Sequence, residues 1–290
     1  MEVVNSTQAI GQLKDNSVLM ETEDGNVNLE NTKICFKGRN NILYLEDGVH
    51  LKDSTIIFEA DNSVVYLSKN KNKYLLNVTL NNNNALFIGQ DNYMNGKLNI
   101  VLSEQKHVLI GNRCLFSFGI WIRLADPHLI YDSIDKGRIN FSKSVFLGDH
   151  VWISQSAMIL KGTKIGSGSI VGAMSLVAGK EIPSNTSWAG NPARKLRDNV
   201  FFTGDCVHKY KEEQTEKSRK CLCDEFIYSY EEGKTKSFLE IDRTLSSFNN
   251  AEEMLKYLQK EIRGCKDKNR FYIPQTSEKA KKTSLFRKNK

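Results

Sequence analysis

No apolar run in this 290-residue chain approaches the ~20 residues that a membrane-spanning helix requires. Residues 1–16 also lack the charged-then-apolar order of a secretory leader. The expected location is therefore cytoplasmic. The six cysteines (Cys35, Cys114, Cys206, Cys221, Cys223 and Cys265) are scattered and include one C-x-C but no C-x-x-C pair of zinc-site type. They read as reduced thiols, and no metal is expected. Most of the chain also lacks an excess of positive charge. The 41 Lys and Arg exceed the 34 Asp and Glu by seven, yet Lys279, Lys281, Lys282, Arg287, Lys288 and Lys290 supply six of them within the last twelve positions. The remainder is 35 against 34. With no basic groove interleaved with aromatics, nucleic acid is not an expected partner. The tail at 279–290 reads as disordered, with peripheral contact at an anionic membrane as its alternative role.

With 40% hydrophobic and 26% charged residues, the chain can bury a core. The dominant pattern is a repeat. Stepping by six from Leu147 meets Ile153, Ile159, Ile165, Val171 and Val177, an aliphatic residue each time. The next residue is small at Gly148, Ser154, Gly166, Gly172 and Ala178, with Leu160 the exception. Val151, Ala157, Thr163, Ser169 and Ser175 form a third column of small or β-branched residues, which Glu181 breaks.

A period of six fits neither a 3.6-residue helix nor simple strand alternation. It fits a triangular coil in which each face is a short strand with one aliphatic residue pointing inward. Such coils stack as parallel strands about 4.8 Å apart. Upstream, Ile110, Phe116 and Ile122 hold one phase, and Leu45, Leu51 and Ile57 another. Apolar runs over residues 33–91 alternate with Asn- and Gly-rich breaks, and these read as less regular coils.

The coils between Ile122 and Leu147 are interrupted, so residues 127–144 are expected to project as a loop, a common place for chemistry. The resulting division is an N-terminal cap or irregular first coils at 1–30, a β-helix at 31–200 and an extension at 201–290. Met254, Leu255, Leu258 and Ile262 mark an amphipathic helix near 250–262. A solenoid needs capped ends, and the extension is read as such a cap.

The run at 148–194, GDHVWISQSAMILKGTKIGSGSIVGAMSLVAGKEIPSNTSWAGNPAR, resembles the catalytic half of the hexapeptide-repeat acyltransferases, which include galactoside and maltose acetyltransferases. The preceding IRLADPHLIYDSIDKGRIN at 122–140 is similar to the bacterial capsule O-acetyltransferases, notably those acting on polysialic acid. The strong match covers about residues 110–197. The N-terminal coils match in style alone, and the C-terminal ninety residues do not match. The resemblance implies a mainly β fold, a left-handed parallel β-helix, in a homotrimer with active sites between subunits and acetyl-CoA as cosubstrate. Periodicity does not supply the left hand, which is an exception to the right-handed crossover rule.

The family's general base maps onto His128. A sugar hydroxyl is a poor nucleophile unless its proton is removed as the C–O bond forms, work suited to an imidazole with an ordinary pKa near ~6.5. Asp126 and Asp132 are candidates for orienting the ring. The tryptophan of the V-W-I turn, Trp152, is expected to line the catalytic and coenzyme groove. Gly172 and Ala173 would let the pantetheine approach the backbone. Of the cations Lys161, Lys164, Lys180, Arg194 and Lys195, those assigned to coenzyme A phosphates are Lys180, Arg194 and Lys195. Arg123, Arg138 and Asn140 flank the loop and are assigned to the acceptor. His150 is read as a coil residue.

The expected reaction is direct O-acetyl transfer from acetyl-CoA to a capsular polysaccharide hydroxyl in a ternary complex. No Ser or Cys stands in a nucleophile motif. The alternatives are N- or O-acetylation of a small acceptor such as a sugar nucleotide, and a non-catalytic glycan-binding or scaffold solenoid. A zinc hydratase on a similar helix would need three converging histidines, which five scattered ones do not suggest.

Overall fold

The computed structural model describes residues 1–22 and 26–275. Among them, the strands form the faces of a triangular prism. The first and second sheets have eight strands each and the third has six, with a two-stranded piece, Asn28–Glu30 and His50–Lys52, in the early coils. Nearly all pairings are parallel. This is a mainly β, left-handed parallel β-helix.

The hexad residues behave as the repeat requires. Leu147, Ile153, Ile159, Ile165, Val171 and Val177 all lie in the prism core, with Val151, Ala157, Thr163, Ser169 and Ser175 buried beside them. In these later coils Phe146 pairs with Lys164, and Trp152 with Ile170, a step of 18. In the early coils Ile42 pairs with Val64, and Thr55 with Asn77, a step of 22. A 22-residue coil does not stay in phase with a six-residue step. Consequently Ile57, placed in the inward column by sequence, is only partly buried, while Ile56 and Phe58 point into the core.

The edges of the prism are packed without room for side chains. A Cβ on Gly111 would lie 2.5 Å from the carbonyl group of Gly148, and one on Gly148 would lie 2.7 Å from the Ser167 amide. At the N-terminal end, Glu2–Val4 pairs antiparallel with Lys33–Phe36. Ala9, Ile10 and Leu13 close the core there.

Up to residue 275, the C-terminal extension does not lie across the far end. It folds back along the outside of the second sheet. Phe238, Ile241, Leu245, Met254, Leu258 and Ile262 from the helices Phe238–Leu245 and Ala251–Tyr257, and from the helical turn Leu258–Arg263, form a second core. They pack against outward-facing Val64, Tyr66, Phe87, Leu109 and Phe146. The reason is in the strands: VVYL, ALFI and VFL are apolar on both faces, so the second sheet must be covered on both. The first sheet has strands such as LNVTL, in which polar residues alternate outward. Ion pairs fix the strap, Arg263 to Glu46 at 2.5 and 3.0 Å and Arg270 to Asp149 at 2.8 Å twice. The expected basic tail at 279–290 lies outside the described residues. No helix among the described residues is long and apolar enough to cross a membrane.

Candidate active site

The inserted loop leaves the edge between the first and second sheets, between the strands Trp121–Arg123 and Val145–Leu147. Its hairpin is closed by Asp132 N donating to Gly137 O (2.8 Å) and Ile139 N to Ile130 O (3.0 Å). Asp132 caps the turn, accepting from the amides of Ile134 and Asp135 at 2.7 and 3.2 Å. Its carboxylate is therefore committed to the turn.

Two anchors hold the loop to the solenoid. Arg138 makes a bidentate pair with Glu104 at 2.7 and 2.8 Å, and the Ser142 hydroxyl donates to the same carboxylate at 2.5 Å. Arg138, and then Ser142, hold the Glu104 pKa down at about 2. The second anchor is Asn140, which is 6% exposed. Its side-chain oxygen accepts from Ile130 N (3.0 Å) and Arg138 Nε (3.3 Å), while its NH2 donates to the His128 carbonyl (2.7 Å) and Asp126 Oδ2 (3.4 Å). Two of the three acceptor-assigned residues, Arg138 and Asn140, are thus engaged in holding the loop.

His128 is exposed at the base of the loop, beside the Asn140 anchor. Its imidazole forms no hydrogen bond among the described residues. Asp126 faces Lys161 (2.5 Å), whose ammonium, followed by other neighbours, keeps the carboxyl below its ordinary pKa. Lys161 also donates to Asn140 O at 3.1 Å, so this lysine from the following coil ties down the base of the loop. Sequence reasoning placed Lys161 among coenzyme cations and did not identify Glu104. The clue for Lys161 is its place at the same edge, one coil below the insertion.

Beneath the loop lies a cleft of about 450 Å³ lined by Arg123, Phe141, Lys143, Leu160, Lys161 and Gly179, among others. The Arg123 Nε is buried there without a hydrogen-bond partner, 6.0 Å being the distance from its guanidinium carbon to the Trp121 ring. An unpaired buried donor beside two ammonium groups suits an anionic or strongly polar oxygen.

The other predicted residues lie elsewhere. Trp152 is on the third sheet, paired between Leu115 and Ile170, with its ring partly exposed and tilted against Phe202 of the extension at 5.7 Å. His150 is a buried edge residue sandwiched by Phe202 (3.9 Å) and Phe226 (4.2 Å), with burial lowering its pKa. Gly172 donates its amide to Trp188 O (2.8 Å), and a Cβ would meet Ala189 at 2.8 Å, so packing accounts for its size. Ala173 is exposed beside it. Lys180 lies 5.9 Å over the Trp188 ring, Lys195 pairs with Asp198 at 2.8 Å, and Arg194 is exposed on the antiparallel hairpin that ends the third sheet. One chain therefore does not bring His128 and Trp152 to the same edge.

The polySia-specific acetyltransferase NeuO has a crystal structure that superposes with a TM-score of 0.60 at 27% identity, covering 70% of this chain and 93% of that one. The polysialic acid O-acetyltransferase of Escherichia coli O1:K1 / APEC is 33% identical over 102 residues, 35% of this chain and 33% of that protein. The chain is similar to hexapeptide-repeat acyltransferases. Among them it resembles the capsule polysialic acid O-acetyltransferases. The galactoside O-acetyltransferase of Lactococcus lactis subsp. lactis (strain IL1403) is 32% identical over 110 residues, 37% of this chain and 52% of that protein. The chain spans from a third to about half of the length of these two curated relatives. No family model matches it. In this chain the inserted loop sits on the coil stack, and the strap adds a wall along one prism edge.

Proposed function

We propose that this protein is an acetyl-CoA-dependent O-acetyltransferase that modifies a hydroxyl of a bacterial surface polysaccharide, with His128 as general base. The observation that carries the reading is the loop itself. A buried asparagine, a bidentate arginine and a lysine from the next coil hold the backbone around His128, while its imidazole is left exposed. Relatives named for polysialic acid O-acetylation support the acceptor class.

Acetyl-CoA supplies the acetyl group as an activated thioester. His128 takes the acceptor hydroxyl proton as that oxygen attacks, and Asn140 fixes the backbone from which the imidazole reaches. Arg123, Lys143 and Lys161 around the cleft are suited to polar and anionic groups of either substrate. Ala173, Lys180, Arg194 and Lys195 retain their assignment to the coenzyme. Gly172 serves it through shape, since its amide is bonded within the coil ladder.

In this reading the active unit is a homotrimer. Trp152 and the histidine loop leave different edges of one prism, and a neighbouring copy brings them together. The exposed apolar loop residues Leu129, Ile134 and Ile139 form the surface that such a neighbour would cover. Acetyl-CoA as donor places the reaction in the cytoplasm.

The test is acetylation of a purified polysialic acid by the protein with labelled acetyl-CoA. Wild type transfers label, and His128→Ala loses at least ~100-fold in rate while binding coenzyme A as before. Wild-type turnover by that variant would overturn the role of His128. Absence of transfer to any surface glycan would overturn the acceptor class.

A further inference from the structure

Along the edge between the second and third sheets, remote from the histidine loop, lie two adjoining cavities that share Lys71, together called the groove. Its outer part is a cavity of about 330 Å³ bordered by amides and cations of the early coils, including Asn28, Asn70, Asn72 and Lys73. Its inner part, about 320 Å³, lies between the corners at Gln90, Asn112 and Asp149 and the strap residues Lys266 and Lys268. Lys71 borders both cavities. The groove spans the successive coil corners at Asn26, Gly48, Asn70, Gln90, Asn112 and Asp149. At about 4.8 Å per coil, five steps make it about 24 Å long, and its inner end lies in the coil that carries Trp152, three positions beyond Asp149.

The charges on its walls are unequal. The inner cavity is lined by six cations and three carboxylates. Four of the six are paired: Arg270 with Asp149, Arg113 with Glu225 at 2.6 Å, Arg263 with Glu46, and Lys71 with Asp91 at 3.7 Å. Asp267 stands between the two strap lysines in sequence. Lys266 and Lys268 make no ion pair among the described residues. Each donates to a backbone carbonyl, Arg263 O at 3.2 Å and Asp224 O at 3.0 Å. Two lysines without carboxylate partners in one half, and asparagine side chains along the wall of the other, match a chain of sugars that carries both carboxylates and hydroxyls.

We propose that this groove, walled by the C-terminal strap, is an accessory binding site for an anionic polysaccharide, holding the acceptor polymer outside the catalytic centre. The proposal rests on the polysaccharide reading above and narrows it to an acidic polymer. Binding is multivalent along the groove, so a long chain is held more tightly than a single sugar.

The experiment measures binding of a polysialic acid oligomer to full-length protein without acetyl-CoA, by calorimetry, for wild type and for Lys266→Glu/Lys268→Glu. Both lysines are exposed, so the variant is expected to fold, which its melting curve verifies. The expected result is at least a tenfold weaker Kd in the variant and no comparable binding of a neutral glucan. The variant Lys217→Glu/Lys220→Glu, with the same change of charge on the exposed arm at residues 212–220, retains the affinity. Wild-type affinity in the strap variant, equal loss in the arm variant, or equal binding of the neutral glucan would each overturn the proposal. The two readings fail separately. Lysine-dependent binding without acetyl transfer would remove the enzymatic assignment alone, and transfer to polysialic acid with strap-independent binding would remove the groove alone.

Discussion

Arg270 and Asp149, 121 residues apart, share two hydrogen bonds of 2.8 Å with both side chains almost wholly buried. The same guanidinium donates to the carbonyls of Ile262 (2.6 Å) and Cys265 (3.1 Å). One side chain therefore joins a solenoid corner to the end of the strap helix. Arg270→Leu would leave the Asp149 carboxylate buried, with the Asn112 amide as its remaining short contact (2.7 Å). The expected loss is about 3–5 kcal/mol by urea denaturation. Asp149→Leu/Arg270→Leu should recover part of it, because no lone charge then remains inside. A single variant as stable as wild type would show that the pair does not hold the strap.

Asn140 is a positioning residue for the base. In Asn140→Ala, the His128 carbonyl and the Ile130 amide lose their partners, and the loop no longer holds the imidazole in one place. The expected effect is about a tenfold fall in kcat with coenzyme binding and melting temperature near wild type. Asn140→Asp keeps an acceptor for the Ile130 amide but loses the donor to His128 O, so it should remain impaired. Steady-state kinetics separate the outcomes, and a change confined to KM would assign Asn140 to the acceptor instead.

His107 is buried where the strap meets the second sheet. It accepts from Ala85 N at 3.2 Å and lies 3.3 Å from the Ser246 hydroxyl. Burial, with a smaller contribution from Lys106, pushes its pKa down to about 3. Since the unfolded chain takes up the proton at about 6.5 and the native state resists it, stability is full above that pH and falls progressively towards 3. The slope is up to about 1.4 kcal/mol per pH unit for one proton. His107→Asn retains a side-chain acceptor and should flatten the acid limb of stability against pH by that amount. An unchanged slope would mean that His107 does not govern it.

Gly111→Ala tests the edge packing. The added methyl would sit 2.5 Å from the Gly148 carbonyl, a backbone group that cannot rotate away. A loss of about 1–3 kcal/mol is expected, measured as a lower denaturation midpoint at constant m-value. The midpoint of wild type would show that neighbouring coils can separate at this edge.

Much of the fold was legible because a solenoid repeats one local rule. Each coil must point an aliphatic residue inward and keep its edges small, so the 18-residue coils after Val145 show their register in the primary structure. The 22-residue coils obey the same rule at a different pitch, and for this reason stepping by six misplaced Ile57. The apolar runs at Ile42–Leu45, Val64–Leu67 and Ala85–Ile88 were visible, but one-sided and two-sided burial both begin from such runs. What covers the outer side depends on a helix pair some two hundred residues away.

The amino-acid order by itself determined the coil, its inward columns, the point at which the loop interrupts it and the histidine on that loop, since these depend on residues near one another in the chain. Tertiary structure alone decided which polar groups are occupied. Asn140 and Arg138 meet their partners within the loop and at Glu104, Asp126 turns to Lys161, and the strap packs beside the second sheet instead of across the end. Those outcomes depend on which groups meet when the coils stack and the extension folds back, and a buried donor or carboxylate takes the partner that geometry brings within reach.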